Sequence, residues 1–338
     1  MNLKPLLVLV LFPVICPLVF TQNWSFLEQG IAIELDDPFY TPLQLDFDRQ
    51  GNMYIADRKA GHIYKIAPDG TLLFGFSGKG EGPGELEYLA DIAIDRTTNT
   101  IWAMDFRKYS ISSFDTDGVF LNRYFVDLFP KTFALQSGNR IVFSSAGEPS
   151  SLVLTDREGQ ILKAFGHRFS NGYSEKDLLN TTNLLFVDHR DRLYTATWRG
   201  NLIQAFDAQQ NLLWQRERDW TNDRIKPEKL RYLQKENRLQ SSTWHTALFV
   251  VNNILYVATD YEEENLLAFD AGTGKYLGYR AIGFRIRNAK VFRGNLYALE
   301  SENAVLRVFK VDDAPRFETI SSDKDFHYRS PTATKISQ

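Results

Sequence analysis

A strand-sized segment recurs six times along the chain, and this repeat constrains the fold more than any other feature. Its clearest copies place an aliphatic residue before an aromatic residue and an alanine two positions later, as in Met53-Tyr54-Ile55-Ala56 and Leu255-Tyr256-Val257-Ala258. The aliphatic positions of the six copies are Met53, Ile101, Ile141, Leu193, Leu255 and Leu296. They are about 40 to 60 residues apart, which is typical of four-stranded propeller blades. The repeat therefore predicts an all-β fold, a six-bladed β-propeller of four-stranded antiparallel blades.

Hairpin turns separate the predicted strands of each blade. Turn residues such as Asp69-Gly70 and Asp117-Gly118 stand between runs in which apolar and polar residues alternate with period two. We predict a single propeller over 22–321, with blades near 42–76, 89–125, 131–165, 182–216, 245–281 and 287–320. A strand at 26–35 is expected to close the ring as an outer strand of blade six. Residues 322–338 are polar and lack periodicity, which predicts a flexible tail.

The first 21 residues are predicted to be a secretory signal. Lys4 precedes an apolar stretch, which Pro13 and Pro17 interrupt and which is too short to span a bilayer comfortably. We therefore expect an exported chain, periplasmic or secreted, with no membrane span after signal removal. Cys16, the single cysteine, lies inside this segment. It is an alternative site for a lipid anchor, although the large Ile15 before it argues against one.

Irregular sequence is concentrated in three connections between blades. They are the glycine-rich stretch 78–86, an insertion at 166–181 and a longer insertion at 218–243, in which 228–236 is predicted to form a short helix. Each connects the fourth strand of one blade to the first strand of the next. By strand parity they share one face of the disc with the loops between second and third strands, so we expect a binding surface there.

Two segments carry a resemblance to a known family. The Gly-Lys-Gly-Glu-Gly-Pro-Gly-Glu-Leu stretch at 78–86, followed by Ala-Asp-Ile-Ala-Ile-Asp at 90–95, and the Gly-Asn-Met-Tyr-Ile-Ala-Asp run at 51–57 resemble the NHL-type repeat of six-bladed propellers. The resemblance is greatest to exported bacterial propeller proteins. It implies the fold, but NHL-type propellers include protein-binding, nucleic-acid-binding and lyase members, so it does not select a function.

Polar residues are predicted to open the innermost strands and to ring the mouth of the central channel. These residues are Tyr40, Asp91, Lys131, Asn183, His245 and Asn288. No cofactor is expected; as an alternative, Asp91, Asn183 and Asn288 have the oxygen ligands that Ca²⁺ prefers. A three-histidine zinc site is disfavoured because, of the five histidines, His245 alone opens an inner strand.

Aromatic and basic residues accumulate in the predicted loops between second and third strands. These residues are Trp198, Tyr261, Phe106, Tyr109, Arg58, Arg107 and Arg199. Exposed aromatic rings suit a protein or glycan ligand because their burial is favourable. The first hypothesis is therefore a non-catalytic binding module, expected to be a monomer, that holds a protein or glycan partner on its loop-insertion face. Nucleic acid is disfavoured as a partner by the net charge of −3 and by the export signal.

The alternative hypothesis is an enzyme at the channel mouth. It would be a lyase or hydrolase acting on a sugar or lactone, and calcium could assist its reaction. His245 would be its general base, and Asp91, Asn183 or Lys131 would give electrostatic assistance.

Overall fold

The structure is a computed structural model that describes residues 39–145, 150–167, 182–198, 202–218, 245–259, 266–300 and 304–311, and the backbone of four short strands outside them. The described residues form β-strands joined by turns and bends, with no helix among them. The predicted helix at 228–236 and most of the insertions at 166–181 and 218–243 lie outside this part of the chain.

Six antiparallel sheets are arranged as blades, which confirms the predicted fold class. The chain begins with β1 (Thr21–Gln22) and β2 (Ile31–Glu34). Blades one to three contain β3 (Pro42–Phe47), β4 (Met53–Asp57), β5 (His62–Ile66), β6 (Leu72–Ser77); β7 (Leu89–Asp95), β8 (Thr100–Asp105), β9 (Ser110–Phe114), β10 (Phe120–Phe125); β11 (Pro130–Gln136), β12 (Arg140–Ser145), β13 (Leu152–Asp156) and β14 (Ile161–Phe165).

The later blades continue the same order of strands. They contain β15 (Asn183–Val187), β16 (Leu193–Thr197), β17 (Leu202–Phe206), β18 (Leu212–Arg218); β19 (His245–Val251), β20 (Ile254–Thr259), β21 (Leu266–Asp270), β22 (Tyr276–Arg280); β23 (Ile286–Phe292), β24 (Asn295–Glu300) and β25 (Val305–Lys310), and they are followed by β26 (Phe317–Glu318) and β27 (Phe326–His327). The first strands of neighbouring blades contact one another in a closed ring, from β3 to β23 and back to β3. First strands therefore surround the central channel, and fourth strands form the rim.

Blade six takes its outer strand from the N-terminal side of the chain. β2 pairs antiparallel with β25, with Ile31 opposite Val308, so the sheet order is β2-β25-β24-β23. β26, near the end of the range predicted for blade six (287–320), instead pairs with β1 in a separate two-stranded ladder. β27, within the predicted flexible tail, pairs with β18 and is the fifth strand of the blade four sheet.

The hydrophobic core consists of six clusters, one at each contact between neighbouring blades. In the second strand of blade one, Tyr54 and Ala56 face blade two, whereas Met53 and Ile55 face blade six. Because both faces of a blade are covered, every residue of β4, β16 and β20 is buried, and the expected period-two alternation does not extend to these strands. At the rim, β14 is mostly exposed.

A tight packing contact joins blades four and five. Trp214 of β18 donates a hydrogen bond from Nε1 to the carbonyl oxygen of Ala271 at 3.1 Å. Gly274, with a φ of +67°, lies against the indole ring, and a Cβ at this position would be 2.5 Å from Trp214 Cδ2. A residue without a side chain is required here both by the positive φ and by the space available.

Candidate functional site

The two faces of the disc differ in construction. On the turn face, short hairpins join first to second and third to fourth strands. On the loop face are the loops between second and third strands and the connections between blades. Several of these hairpins are closed by an aspartate whose side chain accepts backbone N–H groups of the turn. These aspartates include Asp48 and Asp188 between first and second strands, and Asp115, Asp156, Asp207 and Asp270 between third and fourth strands. These aspartates therefore have a structural role in the turns.

Two aspartates at the ends of second strands stabilise the loop face in the same way. Asp57 Oδ2 accepts the N–H groups of Tyr40 and Thr41 at 2.6 and 2.7 Å. Asp105 accepts backbone N–H groups on both sides, from Glu87 at 2.6 Å and from Arg107 at 3.0 Å. These bonds fix each loop against the connection that precedes its blade.

Polar side chains of the innermost strands hold the blades together around the channel. The inner edge of each first strand has no neighbouring strand in its own sheet, so its backbone groups need other partners. Four side chains provide such bonds between successive blades: Asn288 Oδ1 accepts from Leu45 N (3.2 Å), Asp46 Oδ2 from Ile94 N (3.0 Å) and Asp91 Oδ2 from Phe133 N (3.1 Å), and Thr132 Oγ1 donates to Asn183 O (2.6 Å).

The predicted channel-mouth residues take part in these structural contacts. His245 is 2% exposed, and its Nδ1 lies 2.8 Å from the carbonyl oxygen of Thr197, to which it donates. The Asn183 amide oxygen lies 3.4 Å from Thr197 Oγ1, and Asn183 N donates to Ser144 Oγ at 2.8 Å. Tyr40 differs, since its ring is 59% exposed and lies beneath Lys59 Nζ at 5.2 Å. The catalytic and calcium-binding roles considered for these residues stay predictions.

Charged groups of three blades meet inside the ring. Asp46 of blade one forms ion pairs with Lys290 of blade six at 3.6 Å and with Arg96 at 3.5 Å. Burial raises the pKa of Asp91 to about 7, although the Phe133 N–H group and the Lys290 ammonium act in the opposite direction. Asp91 is thus a buried carboxyl group that titrates near neutral pH.

A row of four aromatic rings crosses the loop face from blade one towards blade three. Tyr88 and Phe129 lie in the connections before blades two and three, and Phe106 and Tyr109 lie in the loop after β8. The ring centroids are 5.9 Å apart for Tyr88 and Phe106, 6.3 Å for Phe106 and Tyr109, and 5.2 Å for Tyr109 and Phe129. All three contacts are edge-to-face, the geometry that aromatic quadrupoles favour.

Cationic side chains cover part of this row. Arg58 Cζ lies 4.9 Å and Arg107 Cζ 5.9 Å from the centroid of Tyr88, and Lys131 Nζ lies 4.5 Å from the centroid of Phe106. We refer to the four rings and these three cations together as the aromatic–cation surface. At its far end, Tyr109 is 39% and Phe129 51% exposed.

The structure brings together four of the seven residues predicted for binding. The aromatic–cation surface includes Phe106, Tyr109, Arg58 and Arg107. Trp198 lies apart from them on blade four, where it is partly buried and its backbone N–H donates to Thr182 O. Arg199 and Tyr261 lie outside the described residues.

The sequence reasoning missed Tyr88 and Phe129, and it placed Lys131 in the channel mouth alone. An aromatic residue just before a first strand was the available signal: Tyr88 directly precedes β7, and Phe129 directly precedes β11. Tyr109 also has a φ of +48°, a backbone conformation that is uncommon for an aromatic residue and that is often associated with functional loops.

Among the described residues there is no cluster of three or more His, Cys, Asp or Glu side chains placed to hold a metal ion. The same residues contain no helix that is long and apolar enough to cross a membrane.

Comparisons with known proteins agree on the fold. The family model DUF5128, described as a 6-bladed beta-propeller, matches residues 44–174. A Bacteroides fragilis protein described as exported has a TM-score of 0.62 at 14% identity, covering 84% of this chain and 95% of that one. A DUF4221 member from Bacteroides vulgatus has a TM-score of 0.56 at 13% identity, covering 83% and 96%.

Virginiamycin B lyase from Staphylococcus aureus is another similar structure, with a TM-score of 0.54 at 10% identity over 84% of this chain and 99% of the lyase. No curated protein matches the chain in sequence. Identities this low carry the fold alone, and the NHL type of the repeat stays a prediction. The chain is therefore a six-bladed β-propeller that is similar to the solved structure of one protein described as exported, and its 44–174 region matches a family of that fold.

Proposed function

We propose that this propeller is an exported, non-catalytic binding module that holds a protein or glycan partner on its aromatic–cation surface. The observation that carries the proposal is the row of rings from Tyr88 to Phe129 on the loop face, with two of its members exposed. A partner that covers exposed aromatic side chains gains about 25 cal/mol for each Å² of apolar surface removed from water.

The contacts inside the ring support a binding role over a catalytic one. A general base must reach the proton that it removes, but His245 is buried and donates to Thr197 O. Asp91 and Asn288 likewise accept backbone N–H groups of neighbouring blades. The polar groups best placed for chemistry are thus used to hold the blades together.

Export is supported by two independent features. The first 21 residues have the pattern of a secretory signal, and a similar solved structure belongs to a protein described as exported.

The binding site is tested by removing its exposed rings. Wild-type protein and the variant Tyr109→Ala/Phe129→Ala are immobilised in equal amounts and incubated with the envelope fraction of the source cells. Each lost ring should cost about 2 kcal/mol of binding energy, so the double variant should lose about 4 kcal/mol and bind the partner about a thousandfold more weakly.

The matched control is Leu73→Ala/Leu162→Ala, which removes exposed apolar side chains from the rim. The control should retain the partner as the wild type does, and all three proteins should melt at similar temperatures. Equal retention by the ring variant and the control would refute this placement of the site.

A further inference from the structure

We propose that the aromatic–cation surface binds an acidic polypeptide segment in which apolar side chains are interspersed with carboxylates. This inference rests on the proposed binding function and specifies its ligand. It depends on three properties of the surface, which are the cations over its aromatic rings, the access of a ligand carboxylate to Arg58 and Arg107, and the exposed apolar end.

Two rings at one end of the surface have cations close to them. Arg58 and Arg107 both lie over Tyr88, and Lys131 lies over Phe106. A neutral sugar binds an aromatic side chain by stacking its C–H groups on a free ring face. Because cations take these positions, this end of the surface presents positive charge to a ligand, and a neutral glycan is disfavoured.

Several cations here are available to a carboxylate ligand. Within the described part of the chain, Arg58 and the adjacent Lys59 have no carboxylate partner; Arg58 Nε donates only to Leu89 O, at 3.4 Å. Arg107 pairs with Glu87 at 2.9 Å, but both side chains are largely exposed, at 62% and 43%. An exposed pair of this kind contributes little to stability and is easily exchanged for a ligand carboxylate.

The other end of the surface is apolar. Tyr109 and Phe129 meet edge to face at 5.2 Å and remain exposed. An acidic glycan would satisfy the cations but would bring no apolar side chains to this pair. A polypeptide that carries both Glu or Asp and Leu or Phe complements both ends, which is why we infer a peptide rather than a glycan.

The ligand class is tested with synthetic peptides and the full-length protein in fluorescence anisotropy. The probe alternates Glu with Leu and Phe; one control replaces every Glu by Gln, and a second replaces every Leu and Phe by Ser. Both controls should bind at least about tenfold more weakly, since each removes one half of the complementarity. Raising NaCl from about 0.05 M to about 0.5 M should weaken binding of the probe, because the shorter Debye length screens the exposed cations.

Variants locate the binding. Arg58→Gln/Lys59→Gln should weaken probe binding about tenfold or more, while Arg190→Gln/Lys275→Gln, which removes two exposed cations from the turn face, should leave it unchanged. Equal binding of the Gln peptide, or equal loss in both variants, would overturn the inference. Binding of polygalacturonate with no binding of the probe would also overturn it, in favour of an acidic glycan. The proposed function fails separately, if the Tyr109→Ala/Phe129→Ala variant still captures the natural partner.

Discussion

Replacing Asp91 by asparagine tests the electrostatics of the ring. The carboxyl group is 5% exposed and accepts the Phe133 N–H at 3.1 Å. An amide of nearly the same shape keeps an oxygen for this bond and cannot ionise. The substitution therefore separates the charge of Asp91 from its structural contact.

The expected size of the effect follows from the pKa. Burial raises the pKa of Asp91 from 3.8 to about 7, so between these values the folded state binds more protons than the unfolded state. Stability must then fall as the pH rises through this window. Each pKa unit corresponds to about 1.4 kcal/mol, so the full loss contributed by Asp91 is at most about 4 kcal/mol.

Urea unfolding of the wild type and Asp91→Asn at pH values of about 4 to about 8 measures this contribution. The stability of the variant relative to the wild type should increase with pH, by up to about 4 kcal/mol over this range. Asp127→Asn, at an exposed aspartate in the connection after β10, controls for the change of a carboxyl group to an amide. Parallel pH curves for the wild type and Asp91→Asn would refute the reasoning.

Two other predictions concern packing and metal binding. Gly274→Ala should destabilise the protein by about 1–3 kcal/mol more than Gly294→Ala in thermal or urea unfolding, because both positions have a positive φ but only Gly274 lies against Trp214; equal losses would mean that the packing is not limiting. Calcium chloride added after a chelator should leave the melting temperature unchanged, because the side-chain oxygens of Asp91 and Asn288 already accept backbone N–H groups. A clear rise would support the calcium alternative.

The fold could be predicted because the second strand of each blade is buried on both faces. This burial selects runs such as Met53–Asp57 and Ile254–Thr259, whose recurrence is visible without any structure. The pattern was less informative at the C-terminal end, where β26 pairs with β1 and β27 pairs with β18. Strand pairs this distant along the chain are not encoded in local periodicity.

The candidate site was predictable only in part, for two physical reasons. The sequence predicts Asp91 and Asn288 at the channel mouth as polar residues. In the structure their side chains accept backbone N–H groups from the inner edge of the next blade. Conversely, Tyr88 and Phe129 join Phe106 and Tyr109 only because two connections and one loop meet on the same face. Periodicity predicts strands, whereas contacts between these four rings depend on the conformation of the connections and the loop.

The pairing of β2 with β25 has a consequence for how the chain folds. Ile31 lies opposite Val308, so almost the whole propeller must be present before this ladder can form. The first four strands of each of blades one to five are contiguous in sequence, and they can assemble as their own segment becomes available. The entropy of closing so long a loop grows only slowly with its length, but contacts between distant residues slow folding. We therefore expect ring closure to be the last step of folding, with blade six losing protection from hydrogen exchange first when the protein opens.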